Sequence, residues 1–207
     1  MEKLDLTKLH KDYYTAKKTP ELVVSQAVDY LSITGKGDPS GKDFSNTIGT
    51  LYAVAYAVKF ICKALGNDFV VPKLEGLWWY DESKLGKLSM DEAPQKVKRS
   101  DWEFRLLIRM PEFVTPEIIK NAVTNTIEKK QNPNADHVQL FTLNEGKCIQ
   151  ILHVGPFDKE PETLAIINKF SQTNNLVKNG LHHEIYLSDF RKTNPEKLKT
   201  ILREPVL

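Results

Sequence analysis

Residues 27–65 read AVDYLSITGKGDPSGKDFSNTIGTLYAVAYAVKFICKAL, and this stretch predicts a strand, a loop and a long helix in succession. Its first seven residues are apolar enough to predict a strand over 27–33. The glycines and proline of GKGDPSG stop that strand and indicate a loop. From 45 to 65 the apolar residues recur every three or four positions, which predicts a long helix with one buried face.

The rest of the chain continues this alternation of strands and helices. We predict strands over 73–80, 102–110, 137–143, 147–154 and 181–188, and helices over 115–130 and 160–174. Asn144, Glu145 and Gly146 join two of these strands and fit a tight hairpin in which glycine supplies the positive φ. The order of elements predicts an α+β fold of duplicated halves, with an antiparallel sheet and helices on one face.

The two ends of the chain are more polar than its middle. We interpret residues 1–25 as a surface arm or short helix, 26–192 as the domain, and 193–207 as a polar C-terminal segment. The halves of the domain would cover about 26–112 and 113–192. The charged stretch 81–101 is expected to be a long connection between strands.

Composition limits the kinds of partner. The chain has 207 residues, of which 29 are lysine or arginine and 27 are acidic, for a formal net charge of +2. This balance gives no basis for bulk electrostatic binding of nucleic acid, and no direct nucleic-acid partner is expected. No window holds the roughly 18 apolar residues of a membrane span. With no apolar stretch typical of a signal peptide at the start, we expect a cytoplasmic protein without a membrane partner.

The residues that bind metals or cofactors are few and scattered. Cys62 and Cys148 have no metal-ligand spacing, and we interpret both as reduced packing residues. His182 and His183 are adjacent, so on a strand they point to opposite faces. The sequence contains no glycine-rich phosphate loop and no GxSxG or HExxH motif. We therefore expect no metal and no cofactor.

The strand over 181–188, LHHEIYLS, carries unusual polar residues. Alternation places His182, Glu184 and Tyr186 on one side. Glutamate is depleted in the middle of strands, so Glu184 needs an explanation. Either this is an edge strand whose polar face meets water, or Glu184 is the carboxylate of a pocket. Glu160 has two similar interpretations, as an acidic residue favourable at a helix N-terminus or as a second carboxylate at the mouth of a cleft.

Aromatic residues supply candidate walls for such a pocket. Trp78 and Trp79 are neighbours on a predicted strand and must point to opposite faces, so one could pack in the core while the other lines a cleft. Both could instead be structural. Tyr52 and Tyr56 lie one helical turn apart, where their hydroxyl groups could reach a ligand or simply point outward from the core.

Three sets of segments together resemble the GyrI-like small-molecule-binding family, which is related to effector-binding domains of multidrug-responsive regulators. They are YLSITGKGDPSGKDFSNTIGTLYAVAYAVKF, the pair LEGLWW and HVGPFDKEPETL, and HHEIYLSDFRK. The resemblance covers residues from about 27 to 192. It implies two βαββ-type halves (the SHS2 fold) in a pseudo-twofold relation, with a ligand cleft between them.

The resemblance also implies roles for individual residues. In effector-binding relatives a glutamate of the last strand lies in the pocket and meets cationic aromatic drugs, and Glu184 matches it, with Tyr186 on the same face. Tyr52, Tyr56, Trp78 and Trp79 match segments of the pocket wall. Some stand-alone members are cyclopropanoid hydrolases, which open the strained ring of DNA-alkylating compounds such as yatakemycin. This chain is similar to them because it has no recognisable helix-turn-helix.

Three functional hypotheses follow. The protein could bind apolar or cationic planar molecules beside Glu184, for protection against xenobiotics. It could be a hydrolase in which Glu184, with help from Glu160, activates a water molecule while Tyr52, Tyr56 or Tyr186 donates to the substrate oxygen. It could also be a gyrase-interacting or other protein-binding module, although near-neutral charge does not favour a mimic of DNA. The sequence leaves open whether the protein is a monomer or a dimer.

Overall fold

The computed structural model describes residues 3–89 and 91–207. Within them, one sheet contains eight strands: β1 (Glu21–Ser25), β2 (Val28–Lys36), β3 (Leu74–Trp79), β4 (Glu103–Arg109), β5 (Gln139–Leu143), β6 (Gly146–Val154), β7 (His182–Tyr186) and β8 (Lys199–Pro205). The same residues form six α-helices: α1 (Leu6–Leu9), α2 (Lys42–Ala64), α3 (Glu82–Leu85), α4 (Ala93–Lys96), α5 (Pro116–Lys130) and α6 (Glu160–Thr173). The connection between β3 and β4 therefore contains two short helices.

The sheet is built from two copies of one βαββ unit. The first unit is β2-α2-β3-β4 and the second is β6-α6-β7-β8. The strand order is β1-β6-β8-β7-β3-β4-β2-β5, so the units are mirrored in order about the central pair β3 and β7. Gly76 lies opposite Glu184 in that pair. The predicted α+β fold with duplicated halves in a pseudo-twofold relation is confirmed.

The edge strands are exchanged between the halves. β1 precedes the first unit but pairs with β6, whereas β5 precedes the second unit but pairs with β2. The predicted hairpin between β5 and β6 was therefore wrong, although Gly146 does have a positive φ of 65°. Six strand spacings separate β5 from β6, about 29 Å in a flat sheet. A joint of two residues reaches only about 10 Å, so the sheet must curl.

The two faces of the curled sheet are covered differently. On the face that we call the helix face, α2 and α5 pack on the first half, and α6 packs on the second half. Strand alternation puts Trp78 and Tyr186 on this face and Leu77 and Ile185 on the other, which we call the inner face. Buried Tyr14 packs on the inner face against Ile185.

Both ends of the chain differ from their prediction. The segment expected to be a surface arm or short helix contains α1 but also β1, an edge strand of the sheet. The segment expected to be polar contains β8, a strand inside the sheet. Charged residues such as Arg203 and Glu204 obscured β8, because such residues are rare in strands unless they are paired. Within the described residues, none of the helices has the length and apolar character needed to cross a bilayer.

Candidate functional site

The candidate site lies on the helix face, where the two halves join. Three side chains of β7 point there: His182, Glu184 and Tyr186. Their position follows from strand alternation, because the alternate residue Ile185 is fully buried on the inner face. Glu184 is paired with Gly76 across the strand boundary. We call this group, together with Trp78, Glu160 and Glu204, the Glu184 site.

A hydrogen-bonded chain crosses the pseudo-twofold axis directly above Gly76. The Trp78 indole Nε1 donates to the Tyr186 hydroxyl at 3.0 Å, and that hydroxyl donates to Glu184 Oε2 at 2.7 Å. A Cβ at Gly76 would lie 3.0 Å from Trp78 Nε1 and 3.1 Å from the Tyr186 hydroxyl oxygen. The absence of a side chain at position 76 therefore makes room for the contact. Burial, and then the Glu184 charge, raise the pKa of Tyr186 well above its usual value, so the phenol stays protonated.

His182 holds the second oxygen of Glu184. Its Nε2 lies 3.2 Å from Glu184 Oε1, and its Nδ1 contacts Glu204. Burial by itself would lower the pKa of His182, but Glu204 and then Glu184 raise it to about 10. His182 is therefore an imidazolium at neutral pH and donates to both carboxylates. Only 12% of the Glu184 side chain is exposed, and the Glu204 side chain is fully buried.

Glu160 brings a third carboxyl group to the site from the first residue of α6. Its side chain is buried, and its Oε1 has no hydrogen-bond partner among the described residues. Burial, and then the nearby Glu184 charge, raise the pKa of Glu160 well above its usual value. Both effects favour the protonated form of Glu160, next to a carboxylate that accepts hydrogen bonds from two donors. Such a division of protonation states is typical of acid–base pairs in active sites.

Aromatic rings surround this polar group on both sides of the axis. Trp78 packs against Phe44 and Phe104, with ring centroids 5.6 Å away in both cases. Tyr186 packs edge-on against Phe157 at 6.0 Å and lies 6.5 Å from Phe190. Phe157 is 39% exposed, so this side of the site is close to solvent. These rings offer a planar apolar ligand stacking area on either side of Glu184.

The other residues predicted for the site, Trp79, Tyr52 and Tyr56, take no part in the hydrogen bonds that link Trp78, Tyr186, Glu184 and His182. Trp79 is on the inner face, where it packs with Leu77 and donates to Glu103 Oε2 at 2.9 Å. It therefore cannot stack on a molecule held at Glu184, which leaves Trp78 as the tryptophan of the site. Tyr52 is half-buried on α2, and burial raises its pKa. Tyr56 lies one turn further along and is 44% exposed, with its ring 6.4 Å from that of Tyr52.

Sequence reasoning missed Glu204. The segment 199–205 (KTILREP) has no alternation of apolar and polar residues, and only the short run Thr200-Ile201-Leu202 could have indicated a strand. Among the described residues, no group of three or more histidine, cysteine or acidic side chains is arranged to bind a metal ion.

Two cavities lined by described residues lie outside the Glu184 site. One of about 400 Å³ is a groove between α2 and α5 that includes Phe60 and Lys129. The other, of about 210 Å³, is on the inner face and includes Phe141 and Glu145. We assign the functional site by its chemistry rather than by open volume, because neither cavity contains comparable acid–base groups. Binding at Glu184 would require the enclosing aromatic side chains to move.

Comparisons with known proteins identify what the whole chain is similar to. Residues 104–206 match the GyrI-like small molecule binding domain. A crystal structure of an uncharacterized conserved protein from Listeria innocua is 39% identical, with a TM-score of 0.87 over 99% of this chain and 100% of that one. Two further Listeria innocua crystal structures, each described as a hydrolase, are 38% and 37% identical with TM-scores of 0.83 and 0.84. Those alignments cover 99% and 100% of this chain and the whole of both relatives. No curated protein matches the chain.

Proposed function

Because this chain belongs to the GyrI-like family of small-molecule-binding domains, we propose that it binds an apolar, planar small molecule against Glu184 and hydrolyses it. The observation that carries the proposal is the pair of buried carboxyl groups, Glu160 and Glu184, in one site. Burial and then the Glu184 charge raise the pKa of Glu160, which favours its protonated form. The two relatives described as hydrolases, similar along their whole length, support the same conclusion.

The proposed substrate is a strained electrophile of the cyclopropanoid class. Trp78 and the rings near Tyr186 stack on its planar body and exclude bulk water. Glu184 accepts a proton from a water molecule as the water oxygen bonds to a ring carbon, and the strained carbon–carbon bond breaks. The electron pair of that bond moves to the conjugated carbonyl oxygen, which takes the proton of Glu160. After the step Glu184 carries a proton from water and Glu160 has given one to the substrate, so one water is added in total.

The hydrogen bonds within the site suit Glu184 as the base and Glu160 as the acid. Tyr186 and His182 fix the two oxygens of Glu184, so the base is held in one orientation. General-base assistance of this kind accelerates reactions by roughly 10²–10⁴-fold. A substrate that already contains ring strain needs no larger contribution. A cytoplasmic location and a role in protection against xenobiotics are part of the proposal.

Hydrolysis is tested by incubating the purified protein with a cyclopropanoid alkylator and following the ring-opened product by mass spectrometry. We expect turnover in the wild type and a loss of about 10²–10⁴-fold in Glu184→Gln. Glu162→Gln is the matched control, because Glu162 lies in the first turn of the same helix with 74% of its side chain exposed. No turnover in the wild type, or equal turnover in both variants, would contradict hydrolysis.

A second candidate is a receptor that binds planar cations without turnover. It is favoured by the charges of the site, where three carboxyl groups face one imidazolium. Lys178 Nζ approaches Glu204 only to 4.0 Å, and its side chain is 45% exposed. A matched ligand pair separates the effect of charge from that of shape: acridine, which is neutral at pH 8, and 10-methylacridinium, which is a cation of the same shape. Tighter binding of the cation, lost in Glu184→Gln, together with no turnover of the alkylator, would identify a receptor.

Both candidates require the same stacking residue, and the chain supplies a control next to it. Trp78→Phe should weaken acridine binding by about 3- to 10-fold, since one aromatic contact contributes about 0.5–1.5 kcal/mol. Trp79→Phe should leave affinity unchanged, because Trp79 lies on the inner face. Affinity can be followed by ligand fluorescence. Equal losses in the two variants would place the ligand elsewhere.

A further inference from the structure

Glu204 and His182 form a line of contacts that ends at Glu184. Glu204 lies on β8, the neighbour of β7, and its side chain is fully buried. It contacts Nδ1 of His182, whose Nε2 lies 3.2 Å from Glu184 Oε1. Glu204 therefore does not touch the space beside Trp78 directly, and it acts on the site only through His182.

We propose that Glu204 and His182 are a positioning pair for Glu184, in which Glu204 contacts Nδ1 of His182 and orients the imidazole so that its Nε2 fixes the Glu184 carboxylate. With Tyr186 bound to Oε2 and His182 bound to Oε1, the carboxylate has one orientation. This inference deepens the proposed function and rests on it for its effect on turnover.

The arrangement is poorly explained as a device for stability. A buried ion pair is often no more stable than an apolar pair of the same volume, because both charges lose their hydration. Glu204 Oε2 also lacks a hydrogen-bond partner among the described residues, with Lys178 Nζ 4.0 Å away at the rim. An unsatisfied buried carboxylate oxygen is costly. Its presence next to a candidate base indicates a role in the site.

The charges around His182 come from three elements. Glu184 is on the same strand, Glu204 is on β8, and Glu160 is on α6. Lys178 approaches this group only at Glu204, where its Nζ lies 4.0 Å from Oε2. Because Glu204 and Glu184 outweigh the effect of burial, the pKa of His182 is raised to about 10. His182 therefore cannot accept a proton from water at neutral pH, and Glu184 remains the base.

A direct test reads the His182 imidazole by ¹⁵N NMR. In the wild type both ring nitrogens should stay protonated above pH 8. In Glu204→Gln the amide oxygen still accepts from Nδ1 but the negative charge is gone, so His182 should lose its proton at least one pH unit lower. Glu196→Gln, an exposed change in the same C-terminal segment, should leave the titration unchanged. A neutral His182 in the wild type at pH 7, or the same titration in Glu204→Gln, overturns the positioning pair.

The functional readout separates positioning from binding. In Glu204→Gln we expect the kcat for ring opening to fall about tenfold and its alkaline limb to move to lower pH, with KM changed less than twofold. Unchanged kcat and pH profile would overturn the inference while leaving hydrolysis intact. If the wild type does not turn over, the proposed hydrolysis fails, and the NMR titration still decides whether Glu204 controls His182.

Discussion

The two faces of strand β7 carry adjacent histidines in two different kinds of charge network. On the helix face His182 meets Glu184 and Glu204, with Glu160 close by. On the inner face His183 lies between Glu75 and Glu145, with Nε2 to Oε2 and Nδ1 to Oε1 distances of 3.1 and 2.9 Å. We call Glu75, Glu145, His183 and Arg203 the inner cluster.

The inner cluster is balanced in charge. Its two carboxylates, Glu75 and Glu145, are matched by two cations, His183 and Arg203. Arg203 Nη1 lies 3.4 Å from Glu145 Oε2. Burial would raise the pKa of Glu145, but His183 and Arg203 lower it to about 2, while Glu145 and Glu75 raise that of His183 to about 9 against the effect of burial. The Tyr13 hydroxyl, donating to Glu75 at 2.6 Å, covers the cluster. Each partner therefore stabilises the charged form of the other.

The Glu184 site is not balanced, since three carboxyl groups face one buried cation. Burial and then the Glu184 charge raise the pKa of Glu160, and oxygens of Glu160 and Glu204 have no hydrogen-bond partner among the described residues. Both networks are largely buried, so burial of charge alone does not identify a functional site. The network whose charges cancel joins β3, β7, β8 and the β5–β6 connection to Tyr13 of the N-terminal segment, and the network with excess acid is available for chemistry.

Removal of Arg203 should have the largest effect on the stability of the inner cluster. Arg203→Met should lower the free energy of unfolding by about 3–5 kcal/mol, because it leaves buried Glu145 without its second cation. The measurement is urea denaturation at pH 7. Arg191→Met is the control, since Arg191 pairs with Asp189 on the surface and should contribute less than about 1 kcal/mol. A loss below about 1 kcal/mol in Arg203→Met would show that the inner cluster does not hold the fold.

The pH dependence of stability tests both histidines together. Each folded-state pKa is raised above the ordinary 6.5, to about 9 for His183 and about 10 for His182. Their contribution is therefore complete below pH 6.5 and is lost as pH rises through 9 and 10. We expect the free energy of unfolding to fall by at least about 1.4 kcal/mol, the value of one pKa unit, between pH 6.5 and 10. A flat profile in urea denaturation over this range would contradict the paired state of both histidines.

Part of this comparison could be read from the sequence. Alternation along LHHEIYLS placed Glu184 and Tyr186 on one face and His183 on the other, and periodicity located α2 within three residues at its start. The predictions that failed concerned residues that are in contact but far apart in the chain. Arg203 and Glu145 are 58 residues apart, and their pairing is what permits charged residues in β8. The choice between Trp78 and Trp79 likewise required the register of β3 against β7, which no local pattern contains.

Glu160 provides a test of opposite sign. Burial and then the Glu184 charge raise the pKa of Glu160 in the folded protein, so its burial lowers stability above about pH 4.5. Glu160→Gln should therefore raise the free energy of unfolding at pH 7 by about 1 kcal/mol, while turnover falls. Glu162→Gln, at the same helix end but exposed, should change neither quantity. A destabilised Glu160→Gln protein with full turnover would mean that Glu160 is a structural residue.

The smallest expected effect concerns Gly76, where the two halves meet. A Cβ at this position would lie 3.0 Å from Trp78 Nε1, so Gly76→Ala must move the indole or the Tyr186 hydroxyl by a few tenths of an ångström. The hydrogen bond between them should weaken, which costs less than about 1 kcal/mol in unfolding, and acridine affinity should fall a few-fold. Gly49→Ala is the matched control, because nothing lies within 4 Å of its Cβ and α2 should gain about 0.5–1 kcal/mol. If Gly76→Ala binds acridine as the wild type does, the indole–phenol contact above Glu184 does not shape the ligand site, and only the carboxyl groups distinguish the two faces.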